Sequence, residues 1–443
     1  MAWGKVGVPG ILLAVLACGC GGQSEGSSTT HLDEHSFGGS ATTSSGGSST
    51  QGGSSTQGGG SSTQGSAGDT GKLSERCESV DGVLAYGKVG EPTPLSLTRG
   101  AAGDCASCSW VQKISGFRTA AGYGFVWTTA ADFSALEPNL YSLSVDANFK
   151  GGEPQALLVE DAAVDLDVVP AKDGFVVATC LAEAQQTRWT WLNDDLDATE
   201  AHDIIAPGVP CGATAHRMLW TGEGYLTSFA DSRGVVVALL DEGGVVLGEE
   251  IVAVGNHVIH GPHLSKSGDR VLVVFTGGVQ ALYGVLDWQG TLLGDVQVID
   301  EEVSALGGFA IVAGSDGWQM VSPALTGERG VQLTAISREG VVGREQLLFS
   351  NHDFTPTGFT PSASGGFLFV GWLIEAVQHA HTLGLMLRVD DVGDVVYSQQ
   401  TEATDSGSSF LGVVNDPLKD LVIERHSIEG SETIVVQEYG CLN

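Results

Sequence analysis

Positive charge is what this sequence has least of. Its 20 Lys and Arg stand against 53 Asp and Glu, a formal net charge of −33. Such a chain repels phosphate backbones and anionic headgroups, which excludes nucleic acid as a partner and an acidic lipid surface as a docking site. Basic partners and divalent cations are attracted, and the same charge keeps an exported protein in solution. Long apolar runs are missing too. No stretch approaches the roughly 18–20 residues of a spanning helix, so membrane contact is expected only through the N-terminus. Sustained helical periodicity is absent. So are the familiar chemical signatures: there is no P-loop, no H-E-x-x-H, no dinucleotide fingerprint after a strand and no calcium-binding loop. The G-x-S-x-G at Gly22–Gly26 lies in a low-complexity stretch where no strand-to-helix elbow can form. No cofactor is expected.

What is present begins with an export signal. Lys5 precedes the short apolar run Ile11–Ala17, and Cys18 follows directly. This is signal-peptide architecture, too short to span a bilayer. The segment "VLAC" (Val15–Cys18) resembles the lipobox of bacterial lipoproteins. The resemblance implies cleavage before Cys18 and lipidation of its thiol, with Cys20 a poorer acceptor. Gly19 after Cys18 implies sorting to an outer membrane where the cell has one. Residues 1–17 are therefore assigned to the signal and 18–71 to a tether rich in Gly, Ser, Thr and Gln, in which "GGSSTQ" recurs. That composition has nothing to bury, and about fifty such residues reach on the order of 40 Å. Two histidines in this stretch, His31 and His35, have no fixed geometry for a metal.

Residues 72–443 read as strands throughout. Short runs of Val, Ile, Leu, Phe and Thr alternate with Gly, Asp and Asn turns. A turn followed by an apolar strand recurs at Gly124, Gly174, Gly224, Asp269, Gly317, Gly366 and Asp420, with steps of about fifty residues. Between these anchors lies a second hairpin signal, as in "LLDEGGVVLGEE" from Leu239 and "VLDWQGTLLGDV" from Val285. The repeat predicts an all-β, seven-bladed β-propeller with four strands per blade. The last unit ends at Cys441 with no fourth strand. "VDGVLAYG", after Cys77, has the form of a hairpin turn and the start of that strand. The ring is expected to close by this N-terminal strand completing the C-terminal blade, with a Cys77–Cys441 disulfide at the joint, as an oxidising compartment allows. Cys105, Cys108, Cys180 and Cys211 remain. Three connectivities are possible; the favoured one pairs Cys180 with Cys211 and Cys105 with Cys108. A redox role for "CASC" would need a helix N-terminus, and none is expected.

Candidate site residues are few. "HVIHGPH" places His257, His260 and His263 three apart, which on a strand is not one face. His260, His352, Asp165 and Asp353 lie where inner strands begin, near one mouth of the central channel, and are weak candidates for a metal or catalytic cluster; ordinary loop residues are the stronger reading. His379 and His381 lie at a hairpin on a blade edge. Most tryptophans are expected to pack between blades, although Trp189 and Trp191 share one strand face and could present a sugar-stacking platform.

The lipobox, the spacer and the D-x-x-G-x-x-L-G-(D/E) hairpins at Asp241 and Asp287 together resemble uncharacterised surface lipoproteins of Gram-negative bacteria that carry a propeller on a low-complexity stalk. The resemblance implies an envelope location and a fold but no defined activity. The leading expectation is a lipid-anchored binding or scaffolding protein at the outer membrane, monomeric, with an envelope protein or glycan as partner. The alternatives are a channel-mouth enzyme of the polysaccharide hydrolase or lyase type, and an outer-membrane assembly factor.

Overall fold

The repeating unit is a four-stranded antiparallel meander whose burial falls from its middle strands outward. The second strand of one unit, Gly122–Thr129, is buried along its whole length, and Gly234–Leu240, a third strand, is nearly so. The fourth strand Val246–Val254 is mostly exposed. Middle strands are covered on both faces, so they read as unbroken apolar runs such as Val271–Phe275 rather than as alternation. The computed structural model describes residues 79–80, 83–84, 86–95, 97, 111–129, 140–158, 163–181, 186–204, 217–254, 261–277, 280–300, 309–314, 316–324, 330–350, 352–375, 382–401, 410–428 and 431–442. All lie in the unit Ala67–Asn443. Cys18, the tether, Cys77, Cys105, Cys108, Cys211, His260, His379 and His381 fall outside them.

The described residues form an all-β propeller with four-stranded blades and no helix. The count departs from seven. Five blades are separate sheets, spanning 163–204, 217–254, 263–300, 310–350 and 352–401; they are called blades 1 to 5 below. The remaining strands form one eight-stranded sheet in the order Tyr86–Pro94, Ser431–Cys441, Asp420–Ile428, Phe410–Asn415, Val111–Arg118, Gly122–Thr129, Leu140–Asp146, Gln155–Leu158. Two inner strands fuse there by parallel pairing of Val414 with Gly116 and Asn415 with Phe117. Gly116 permits the approach, since a Cβ there would lie 2.8 Å from Val414 Cγ2. Nothing in the repeat pattern marks this merger.

The domain's first long strand, Tyr86–Pro94, lies at the edge of this joined sheet, antiparallel to the last strand, with Tyr86 opposite Cys441. A bulge between Val89 and Thr93 is held by the Gln437 carboxamide, which donates to the carbonyls of Val89 and Gly90. Cys180 and Cys441 are each disulfide-bonded. The partners expected for them, Cys211 and Cys77, lie outside the described residues. Non-reducing peptide mapping is expected to recover Cys77 linked to Cys441; a free Cys441 would remove that pairing.

One hairpin turn recurs at Asp146, Asn193, Asp241, Asp287, Ser337 and Asp390. In each, the first residue's carbonyl accepts from the fourth residue's N–H, and its own N–H donates to the fifth residue's carbonyl. The first side chain ties the turn down: Asp241 Oδ1 accepts from Gly243 and Val245 N–H at 2.9 and 2.8 Å. The fourth residue takes positive φ, which explains glycine at 244, 290, 340 and 393. Phe149 and Leu196 occupy the same slot at φ 59° and 66°. Both are retained by packing. Phe149 stacks on Tyr123 at 4.6 Å, and Leu196 is buried beside Gly124, where a Cβ would meet it at 2.9 Å. Left-handed strain costs Leu196 about 1–2 kcal/mol, whereas emptying a buried leucine site costs about 2–5 kcal/mol. Leu196→Gly, though it restores the residue of the sister turns, is therefore expected to destabilise by about 1–3 kcal/mol in urea unfolding. A gain in stability would show that backbone strain dominates.

Apolar packing between neighbouring blades holds the ring. One cluster joins Leu226, Val237 and Val252 of blade 2 to Val271, Val273, Phe275 and Leu286 of blade 3. Trp318 of blade 4 is buried and donates its indole N–H to the Ser265 carbonyl of blade 3 at 2.9 Å. Trp189 is wholly buried, edge-on to Tyr225 of the next blade, and so offers no sugar platform. Among the described tryptophans Trp288 departs from the packing expectation, being 40% exposed.

The joined sheet carries an unusual set of buried charges. Asp420 accepts from Tyr86 Oη, Ser362 Oγ and Ala363 N, each at 2.7 Å. Glu424 accepts from Tyr439 Oη at 2.7 Å and from Lys88 Nζ at 3.1 Å, and lies 2.9 Å from His426 Nε2. Tyr86 and Lys88 thus tie the first strand to groups lying beyond the last one.

Candidate binding channel

The first strand of each meander is the innermost. These strands surround a cavity of about 980 Å³. Blade 1 contributes Ala163–Ala171, blade 2 Arg217–Trp220, blade 3 His263–Ser267, blade 4 Ala310–Ala313 and blade 5 His352–Pro361, and the joined sheet adds Val111–Arg118 and Phe410–Asn415. The lining mixes Phe117, Phe309 and Phe359 with Lys113, Ser115, Asp167, Arg217, His263, Ser265 and Asn415. Three of the permanent charges on this wall, Lys113, Arg118 and Arg217, are positive, in a chain dominated by carboxylates.

Several of these groups are fixed in place. Asp167 reaches across to the next blade and accepts from the Met218 N–H at 2.8 Å. His263 follows the cis Gly261–Pro262 bond and meets Phe309 edge-on at 6.4 Å. Arg118 donates to Asp416 at 2.9 Å, and Tyr123 donates to the same carboxylate at 2.7 Å. Burial, and then the Asp416 carboxylate, push the Tyr123 phenol up to about 12. Trp372 also lines the cavity, beside Thr355 in the strand ladder. Its indole N–H is buried and has no hydrogen-bond acceptor in the structure. Such a donor is costly to leave unmade.

The sequence candidates fare unevenly. Asp165 is the third residue of its inner strand, and His352 and Asp353 open theirs, so all three backbones stand at the mouth where inner strands begin. Their side chains and all of His260 fall outside the described residues. Among the described residues there is no group of three His, Cys, Asp or Glu able to hold a metal. The channel residues the sequence reading missed are Lys113, Arg217 and Trp372. The first two sit in "WVQKISGF" and "HRMLW", whose strand character is legible. Which parity faces the channel depends on register, which the pattern alone leaves open.

No family model matches the chain, and no curated protein matches it. Solved structures resemble it at low identity. BBS1N, crystallised in complex with ARL6DN, shares 9% identity at a TM-score of 0.47, over 80% of this chain and 96% of that one. An ancestral GH74 enzyme shares 13% at 0.49, over 81% of this chain and 52% of that one. TolB from Acinetobacter baumannii shares 12% at 0.40, over 67% and 80%. The propeller assignment rests on the strand order itself, and these likenesses extend to no activity.

Proposed function

We propose that the chain is a lipid-anchored binding module of the cell envelope, with Cys18 as the anchor, residues 18–71 as the tether and the central channel as a ligand site. The observation that carries the binding reading is a cavity of about 980 Å³ whose wall presents aromatic rings, hydroxyls and fixed charges together. That mixture suits a polar ligand held by stacking and a few directed hydrogen bonds. A rigid wall built from strands limits the entropy lost on binding. The partner remains an envelope protein or glycan, and the envelope location rests on the lipobox and tether.

Two measurements test this. In a thermal-shift panel of envelope oligosaccharides, a channel ligand raises the melting temperature of the native chain, and the increment falls in Arg217→Gln. An increment unaffected by that change would place binding elsewhere. Metabolic palmitate labelling is expected to mark the native chain and Cys20→Ser but not Cys18→Ser. Label retained in Cys18→Ser would overturn the anchor.

A further inference from the structure

The face opposite the channel mouth considered above is built from the turns that follow first and third strands. Neighbouring turns touch there: Lys172 meets Glu242 at 3.3 Å, and Ser267 Oγ donates to the Gly314 carbonyl. The chain also enters Tyr86–Pro94 at this face, since Tyr86 stands opposite Cys441 and Lys88 opposite Tyr439, which pairs with Asp420 just after the turn Asp416–Lys419. Exposed apolar side chains recur here from blade to blade. Val245, Trp288, Val341 and Val392 project from the recurring turns of blades 2 to 5, and Leu418 from the joined sheet, the last 71% exposed. The turn does not demand them. Its fifth position is apolar at Val245 and Val341 but holds Lys150, Asp197, Thr291 and Asp394 in the sister turns. Carboxylates outnumber cations among them: Glu242, Asp269, Glu339, Asp391 and Asp394 stand there, with Lys172, Arg338, Arg344 and Lys419 interspersed.

We propose that this turn face docks a Lys/Arg-rich protein segment that also carries apolar side chains. The charge excludes a second copy of this acidic chain and an anionic membrane. The chain's own tether is excluded because Gly, Ser, Thr and Gln have nothing to bury against valine and leucine. A basic segment gains from the carboxylates by attraction and from the valine, leucine and tryptophan side chains by burial.

The test uses the full mature chain and labelled peptides in fluorescence anisotropy. A Lys/Leu peptide is expected to bind at physiological salt at least about tenfold more tightly than a Lys/Ser peptide of equal charge. The variant Val341→Ser/Val392→Ser/Leu418→Ser removes that preference, whereas Leu347→Ser, exposed within the fourth strand of blade 4, leaves it. Equal binding of the two peptides, or an unchanged preference in the triple variant, would reduce the face to unspecific charge and overturn the proposal. Binding to neutral phosphatidylcholine vesicles that is lost in the triple variant would also overturn it, in favour of a lipid surface. Circular dichroism of the triple variant confirms that it is folded.

Discussion

Raising the pH to about 11 is expected to remove about 5–6 kcal/mol of stability, enough to unfold a domain of ordinary margin. The cause is a set of buried tyrosines. Tyr86, Tyr123, Tyr225 and Tyr439 are all nearly inaccessible. Burial pushes Tyr123 and Tyr225 up to about 12. It raises Tyr86 and Tyr439 further, with the carboxylates of Asp420 and Glu424 adding to the shift. An unfolded tyrosine loses its proton near pH 10. Folded pKa values lie above unfolded ones, so the stabilisation is complete below about pH 10 and is lost as pH rises through the folded values. At about pH 11 each of the four contributes about 1.4 kcal/mol, hence the total. Urea midpoints across the alkaline range, read beside tyrosinate absorbance, check this. Midpoints that stay level to about pH 11, with tyrosinate appearing in the folded protein, would contradict it. Tyr225→Phe should lessen the loss by roughly a quarter.

Asp420→Ala is expected to cost about 3–5 kcal/mol, the largest effect of any single substitution considered. The wild-type carboxylate is buried and accepts from two hydroxyls and a backbone N–H, one of them on the first strand and two on the blade 5 turn. Alanine leaves all three donors without an acceptor, the two hydroxyls among them buried. Arg388, which donates to Ser362 and lies 4.8 Å over the Tyr86 ring, loses its nearby counter-charge. Tyr86→Phe removes one hydroxyl and should cost only about 1–1.5 kcal/mol. Denaturant unfolding measures both, and hydrogen exchange should show lost protection in Tyr86–Pro94 for Asp420→Ala. A cost for Asp420→Ala no greater than that of Tyr86→Phe would mean that the network does not hold the first strand.

The repeat was legible because its punctuation is local. An Asp or Ser that ties down a turn and a glycine at positive φ leave marks a few residues apart, as at Asp241 and Asp287. The same turn at Asp146 was hidden, because Phe149 trades the glycine for a packed side chain; at Asn193, where Leu196 does the same, only the acidic run marks a hairpin. The final strands Phe410–Asn415, Asp420–Ile428 and Ser431–Cys441 are bounded by clear turns for the same local reason. The joined sheet was not legible. It depends on Gly116 meeting Val414 across the whole length of the domain, and a missing Cβ carries no sign of what it faces. Asp420 was legible only as a repeat anchor; its three donors lie far away in sequence. The channel wall suffers likewise, since parity decides whether Lys113 faces the cavity or a neighbouring blade.

Site-specific photo-cross-linking of the full lipidated chain in its own envelope tests the binding reading most directly. A photoreactive residue is placed at His263 in the channel, at Leu418 on the turn face and at Ser232 on an exposed turn of the opposite face as reference. A tethered binding module predicts one recurrent partner from His263 or Leu418, at near-equal amount to the protein and absent from Ser232. Only abundant bystanders, captured equally from all three positions, would contradict it.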